Sequence, residues 1–249
     1  LNLTETVFAV CNGDSIVKVN YFTRTQEIDY CGHASLALAW VLAKEYGYND
    51  LILKTNIGNI TVFLEKENNE LKNVFLEQQF PIIKEYWGSQ NEIVRMLKIK
   101  DEDIDSNYPL KIIYSGNWDL LVPVKSKEIL AGIFPDMELI KAHNRSYGVI
   151  GTHLFFHDDK VIYTRNFAPL VGIDEDPVTG SSSGATVGYL ISEGFLEKNI
   201  CLYIIQLNNI NREGKIIVKT EMNSNNIMVG GKAVIIFRGI LNEVTYEKN

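Results

Sequence analysis

Short runs of β-branched and aromatic residues, broken by Asn, Gly and Asp, alternate along this chain with two long apolar stretches of helical character. Runs at 5–10 and 15–23 flank Asn12-Gly13-Asp14, and an Asn-Gly pair between such runs marks a hairpin. Residues 34–46 then predict a helix, stopped at Gly47. Strands are predicted at 51–55 and 59–65 around Gly58, and at 71–78, before a short amphipathic helix over 91–98. The second half repeats the order. Strands at 111–115 and 119–124 precede a helical turn at 127–131. A hairpin of 147–156 and 160–167 turns at Asp158-Asp159. A helix over 183–193, ended by Gly194, leads into strands at 201–206, 215–220 and 232–238.

The acidic stretch 100–106 is the expected boundary between an N-terminal lobe, residues 1–105, and a C-terminal lobe, residues 106–249. Laying Gly32 on Gly180 brings His33 onto Ser181, Ala37 onto Ala185, Leu42 onto Leu190 and Glu45 onto Glu193. Tyr21 to Arg24 parallels Ile162 to Arg165, and Gly58 to Val62 parallels Gly214 to Val218. Three matches in one order indicate a duplicated lobe, with a period far beyond that of solenoid repeats. Both long helices are apolar nearly all round, which calls for burial. The expected class is α+β: two pseudo-symmetric lobes, each a rolled, mostly antiparallel sheet around a central helix whose N-terminus meets the lobe interface.

Composition changes this picture only by exclusion. The 249 residues carry a net charge of −7, with no basic stripe, so nucleic acid is not an expected partner. No apolar stretch is long enough to cross a bilayer, so no membrane is expected either. Cys11, Cys31 and Cys201 are odd in number and widely spaced, which reads as reduced thiols. With no signal-peptide pattern at Leu1 to Glu5, the expected compartment is the cytoplasm.

The candidate chemistry sits where each long helix begins. One turn reads Asp29-Tyr30-Cys31-Gly32-His33-Ala34-Ser35, the other Glu175-Asp176-Pro177-Val178-Thr179-Gly180-Ser181-Ser182-Ser183-Gly184. Helix starts leave N–H groups unpaired and carry partial positive charge, so two facing starts would hold a small anion. Asp29, Cys31, His33, Glu175 and Asp176 are the titratable groups at these turns, and Glu5 joins them on the first strand. Abstraction of a proton beside a carboxylate needs a base held close and donors where charge develops. The N–H groups of Gly32, His33, Gly180 and Ser181 are the candidate donors. Structural readings stand beside these. Glu5 also reads as an exposed strand end, Asp176 as a turn initiator, Thr179 and Ser181 as helix caps, and Cys31 as a small buried apolar residue. His153 and His157 have the spacing of a helical metal pair but fall in a predicted strand, and His143 reads as a surface residue. No metal site is expected.

Three segments together resemble the PhzF family of phenazine biosynthesis-like proteins, related in fold to diaminopimelate epimerase. They are Asn2-Leu3-Thr4-Glu5-Thr6-Val7-Phe8, Cys31-Gly32-His33-Ala34-Ser35, and Asn166-Phe167-Ala168-Pro169 followed by Glu175 to Ser181. The resemblance implies two α/β lobes with the site between them and cofactor-free proton transfer. It implies that Glu5 is the acid/base, that His33, Asp176 and Ser181 assist it, and that Gly32 and Gly180 hold an anion. Thr179 and Ser182 complete the expected substrate-binding set. The family carries a further strand and a Gly-Asn-Pro-Ala turn ahead of the Glu5 segment, and both are expected to be missing from this chain. Ser182-Ser183 also departs from the Ala-His of many members. Two-thiol epimerases of this fold place a cysteine at each turn, whereas here only the first turn has one. The expected protein is an isomerase of a small carboxylate and a plausible homodimer. The alternatives are an amino-acid epimerase or racemase of the same fold, and a small-acid binding protein without catalysis.

Overall fold

The computed structural model describes residues 3, 5–209 and 213–240. Asn2 and Thr4 of the Glu5 segment lie outside the described residues. The first half contributes β1 (Glu5–Val10), β2 (Ile16–Thr23), β3 (Glu27–Ile28), α1 (Gly32–Tyr46), β4 (Leu51–Thr55), β5 (Gly58–Glu67) and β6 (Glu70–Gln79). A middle stretch follows: β7 (Ile82–Glu85), α2 (Gln90–Leu97), β8 (Lys111–Tyr114), β9 (Trp118–Pro123), α3 (Lys127–Gly132) and α4 (Met137–Tyr147). The second half then runs β10 (Gly151–Asp158), β11 (Val161–Ala168), β12 (Ile173–Asp176), α5 (Gly180–Ser192), β13 (Cys201–Gln206), β14 (Gly214–Thr220) and β15 (Asn226–Gly231).

The duplication read from the sequence is a duplication of topology. In the first half β1 pairs antiparallel with β2, β2 antiparallel with β3 and parallel with β4, and β4, β5 and β6 form a meander. In the second half β10, β11, β12, β13, β14 and β15 repeat each of these pairings in the same sense. The matched glycines open corresponding elements: Gly32 and Gly180 begin α1 and α5, and Gly58 and Gly214 begin β5 and β14. The parallel crossover in each half is the long helix, which must cover the face it crosses.

Strand alternation explains the cores. Val17, Val19 and Tyr21 of β2 are buried at every second position and pack with Ala39, Trp40 and Leu42 of α1. Val187, Tyr189 and Leu190 of α5 pack with Phe155, Ile162 and Ile204 of its own sheet. Residues 182–190 are buried without a break, whereas α1 keeps Ala37 exposed. The difference has a structural source. β10 is flanked by β9, which leads to β8 and β7, and β8 packs on α5; β1 has no such neighbour among the described residues.

A third cluster joins Ile93, Met96 and Leu97 of α2 to Leu120, Val122, Ile140 and Leu154. Residues before position 105 therefore pack with the second half, and β7 pairs with β8. The amphipathic helix α2 is fixed by a capping box, Ser89 with Glu92. α4 was not expected from the pattern; Asp136 caps its start and Gly148, at φ +66°, ends it. That helix delays the next strand to Gly151. The last strand is also displaced: residues 232–240 form no strand, and β15 occupies 226–231 instead.

β15 forms the seam between the halves. Its residues 226–231 pair antiparallel with residues 79–74 of β6, fusing both sheets into one of 15 strands among the described residues. Gly230 permits this approach, because a Cβ there would collide with the Val74 carbonyl oxygen and the Phe75 ring. Gly230→Ala should therefore destabilise the fold by about 1–3 kcal/mol through overpacking, measured as a lowered midpoint of denaturant unfolding; an unchanged midpoint refutes this role of the glycine.

Candidate active site

Neither long helix has a side-chain cap at its start. Cys31 precedes α1 in extended backbone and Thr179 precedes α5, and neither first turn contains an acid. Both starts thus present unneutralised N–H groups and the positive end of a helix. The helices pack on one another, and the groups at their starts interact electrostatically: His33 and Glu5 from the first half act on Asp176 from the second.

Glu5 is the first residue of β1, and its side chain is 18% exposed. Its Oε2 lies 3.2 Å from Nε2 of His33, the second residue of α1. The Cys31 sulfur stands 3.6 Å from both ring nitrogens. The contact with Cys31 is the main reason His33 is pushed up to about 9; burial opposes it, and the charges of Glu5 and Asp176 add to it. Near neutral pH the ring is an imidazolium beside the Glu5 carboxylate.

Asp176 ends β12 and begins the second turn. Its Oδ2 accepts from Thr179 Oγ1 at 2.6 Å and its Oδ1 from the Val178 N–H at 3.3 Å. Burial raises its carboxyl above the usual range, against the pull of these two hydrogen bonds and of His33. Gln206 of β13 locks the turn. It donates to the Asp176 carbonyl at 2.6 Å and accepts from the Thr179 N–H at 2.8 Å. Gln78 of β6 donates to the Ser181 carbonyl at 3.0 Å, so the first half holds the helix start of the second.

The expected residues therefore separate. Glu5, His33, Gly32, Asp176, Gly180 and Ser181 belong to the two starts, and Thr179 spends its hydroxyl on Asp176. Ser182 corrects the expectation of a substrate-facing group. It is 1% exposed and donates to Oδ2 of Asp119 on β9, inside the lobe, because the third helical position turns toward the sheet. Glu175 is tied to the buried Arg165 at 2.7 Å, and Asp29 is exposed. His143 is not a surface residue: Tyr86 and Tyr147 cover it, and burial lowers its pKa. Gln78, Gln206 and Asp119 escaped sequence reading, since an isolated polar residue in an apolar strand carries no spacing signal. A cavity of about 650 Å³ is lined by Lys127, Phe134, Arg165 and Asn209 and includes none of the helix-start residues.

Comparison with known proteins agrees with the fold and with the sequence resemblance. The family model for phenazine biosynthesis-like proteins (PhzC-PhzF) matches residues 1–239. An uncharacterized isomerase of Deinococcus radiodurans is 32% identical, over 96% of this chain and 82% of its own length. Trans-2,3-dihydro-3-hydroxyanthranilate isomerase of Pseudomonas chlororaphis is 26% identical, over 97% of this chain and 85% of its own. The crystal structure of the Bacillus anthracis phenazine biosynthesis protein of the PhzF family superposes with a TM-score of 0.79 at 25% identity, covering 92% of this chain and 82% of that one.

The His33 ring gives a direct test of the site's electrostatics. Its raised pKa means that the imidazolium stabilises the fold fully below pH 6.5 and that this contribution is lost as pH rises through about 9. The side chain is 57% exposed, so solvent screens the pair and the shifted midpoint is its clearest signature. NMR titration of the ring should give a midpoint near 9, lowered most by Cys31→Ala and less by Glu5→Gln. A midpoint at the ordinary value in the unmodified protein removes this arrangement.

Proposed function

Because the chain belongs to the phenazine biosynthesis-like (PhzC-PhzF) family, we propose that it is an isomerase moving a proton on a small carboxylate by general acid/base catalysis with its own side chains. One observation carries the reading: Glu5 is paired with His33 at the uncapped start of α1, in the electrostatic reach of Asp176 at the start of α5. Glu5 takes a proton from a substrate carbon; the C–H electron pair moves into the adjacent conjugated system, and the same carboxyl, after exchanging its proton with solvent, delivers one to a second carbon. Atoms and charge balance within the substrate, with Glu5 restored. The imidazolium of His33, 3.2 Å away, lies ready to balance the charge of the carboxylate. N–H groups at Gly32, His33, Gly180 and Ser181 grip the substrate carboxylate and the charge that develops on it. Asp176 and Ser181 orient the remaining polar groups.

The substrate class follows from the same donors: a compact carboxylate, with the ring-borne acid of the Pseudomonas relative as its guide. An epimerase would need a second base across the carbon. Thr179 is the counterpart of Cys31 and hydrogen-bonds to Asp176, which supports a one-base shift.

Incubating the protein with a panel of small cyclic carboxylic acids in heavy water, read by mass spectrometry, tests the proposal. Deuterium uptake should appear in at least one acid and fall by about 10²–10⁴-fold in Glu5→Gln, with Cys31→Ser retaining it. Uptake unchanged in Glu5→Gln refutes the role of Glu5. Uptake lost in Cys31→Ser with inversion at carbon favours the epimerase, and binding without any uptake favours a non-catalytic protein.

A further inference from the structure

The sheet beneath α5 changes character along the helix. Under its middle lie Leu121, Phe155, Ile162 and Ile204. Under its first turn lie polar residues that are nonetheless buried: Asp119 on β9, His153 on β10, Asn166 and Thr164 on β11, and Gln206 on β13. Asp119 is central among them. It is 5% exposed and accepts from Ser182 on α5 and from the backbone N–H of Gly151. Gly151 makes the room, since a Cβ there would lie 2.6 Å from Asp119 Oδ1 and 3.3 Å from Asn166 Oδ1. Asn166 in turn holds His153 Nδ1 at 3.2 Å and pairs through its backbone with Asp176.

A buried carboxyl without a cation is costly, and a fold that only needed packing would place an apolar residue there. We propose that Asp119 is a positioning residue for the site: through Ser182 it fixes the first turn of α5, and its ionisation answers to the charge of Asp176. The groups around it favour this coupling. β8 offers Ile113 opposite Asp119, β10 offers the glycine and a neutral His153, α5 offers Ser182, and Asp176 is the charge that reaches it. No Lys or Arg among the described residues bonds to it. In so dry a place a unit charge acts much further than in water.

The sign follows from the linkage. Burial pushes the Asp119 carboxyl up to about 6, against the hydrogen bonds from Ser182 and Gly151. The charge of Asp176 adds to this rise. Asp176→Asn removes that charge and so lowers the Asp119 midpoint. Ser182→Ala removes a hydrogen bond to the ionised form and so raises the Asp119 midpoint.

The inference rests on the proposed site only in taking Asp176 as a member, and its test needs no substrate. The protein carrying ¹³C-labelled aspartate side chains is titrated by NMR as the unmodified chain, Asp176→Asn and Ser182→Ala. The Asp119 midpoint should fall in Asp176→Asn and rise in Ser182→Ala. An Asp119 midpoint unmoved by Asp176→Asn overturns the proposal. If that variant does not fold, an Asp119 midpoint unmoved by Ser182→Ala overturns it. Neither result bears on whether Glu5 transfers a proton.

Discussion

The antiparallel ladder between β6 and β15 is the constraint on which the rest depends. Each half has its own long helix and its own apolar cluster, and either could be rotated against the other without disturbing its interior. The ladder removes that freedom. It sets two copies of one topology edge to edge, and Gln78, at the end of β6, reaches across to the start of α5. The groups at the two helix starts come within electrostatic reach of one another in halves that are joined through equivalent strands, each the last of its own meander.

Duplication supplies symmetry, and the proposed chemistry depends on where symmetry fails. Cys31 and Thr179 hold the same place before their helices, yet the first touches an imidazole and the second a carboxylate. β1 opens with Glu5 and its counterpart β10 opens with Gly151. The first half therefore brings a carboxyl to His33 at the start of α1, and the second leaves room for one, Asp119, inside. His33 and Ser181 are likewise counterparts with unlike charge. A symmetric pair of uncapped helix starts is thus fitted with unlike titratable groups.

Much of this was legible in the sequence because duplication writes itself twice. Gly32 with Gly180 and Gly58 with Gly214 located corresponding helix and strand starts, and turn glycines are local signals that need no tertiary information. What failed was decided by partners distant in sequence. The run at 233–237 has the stronger strand composition, but 226–231 has the glycine that lets β6 approach. α4 lacks a strong apolar stripe and is defined by its caps. Ser182 looked like its neighbour Ser181; one helical step turned it toward Asp119, a residue nothing local connects to it. Half of the proposed site, Glu5 with the two glycine turns, comes from motif. The supporting glutamines and the buried aspartate do not.

The ladder also has a kinetic consequence. It joins residues 74–79 to residues 226–231, so nearly the whole second half must be ordered before it can close. Contacts of such long range form slowly, since chain entropy is lost before pairing returns anything. The α5 cluster is built within the second half, and the α1 cluster almost entirely within the first, from residues close together in the chain. Two lobes with finished interiors and unjoined sheet edges are the natural intermediate of this topology, and closure of the seam is its last step.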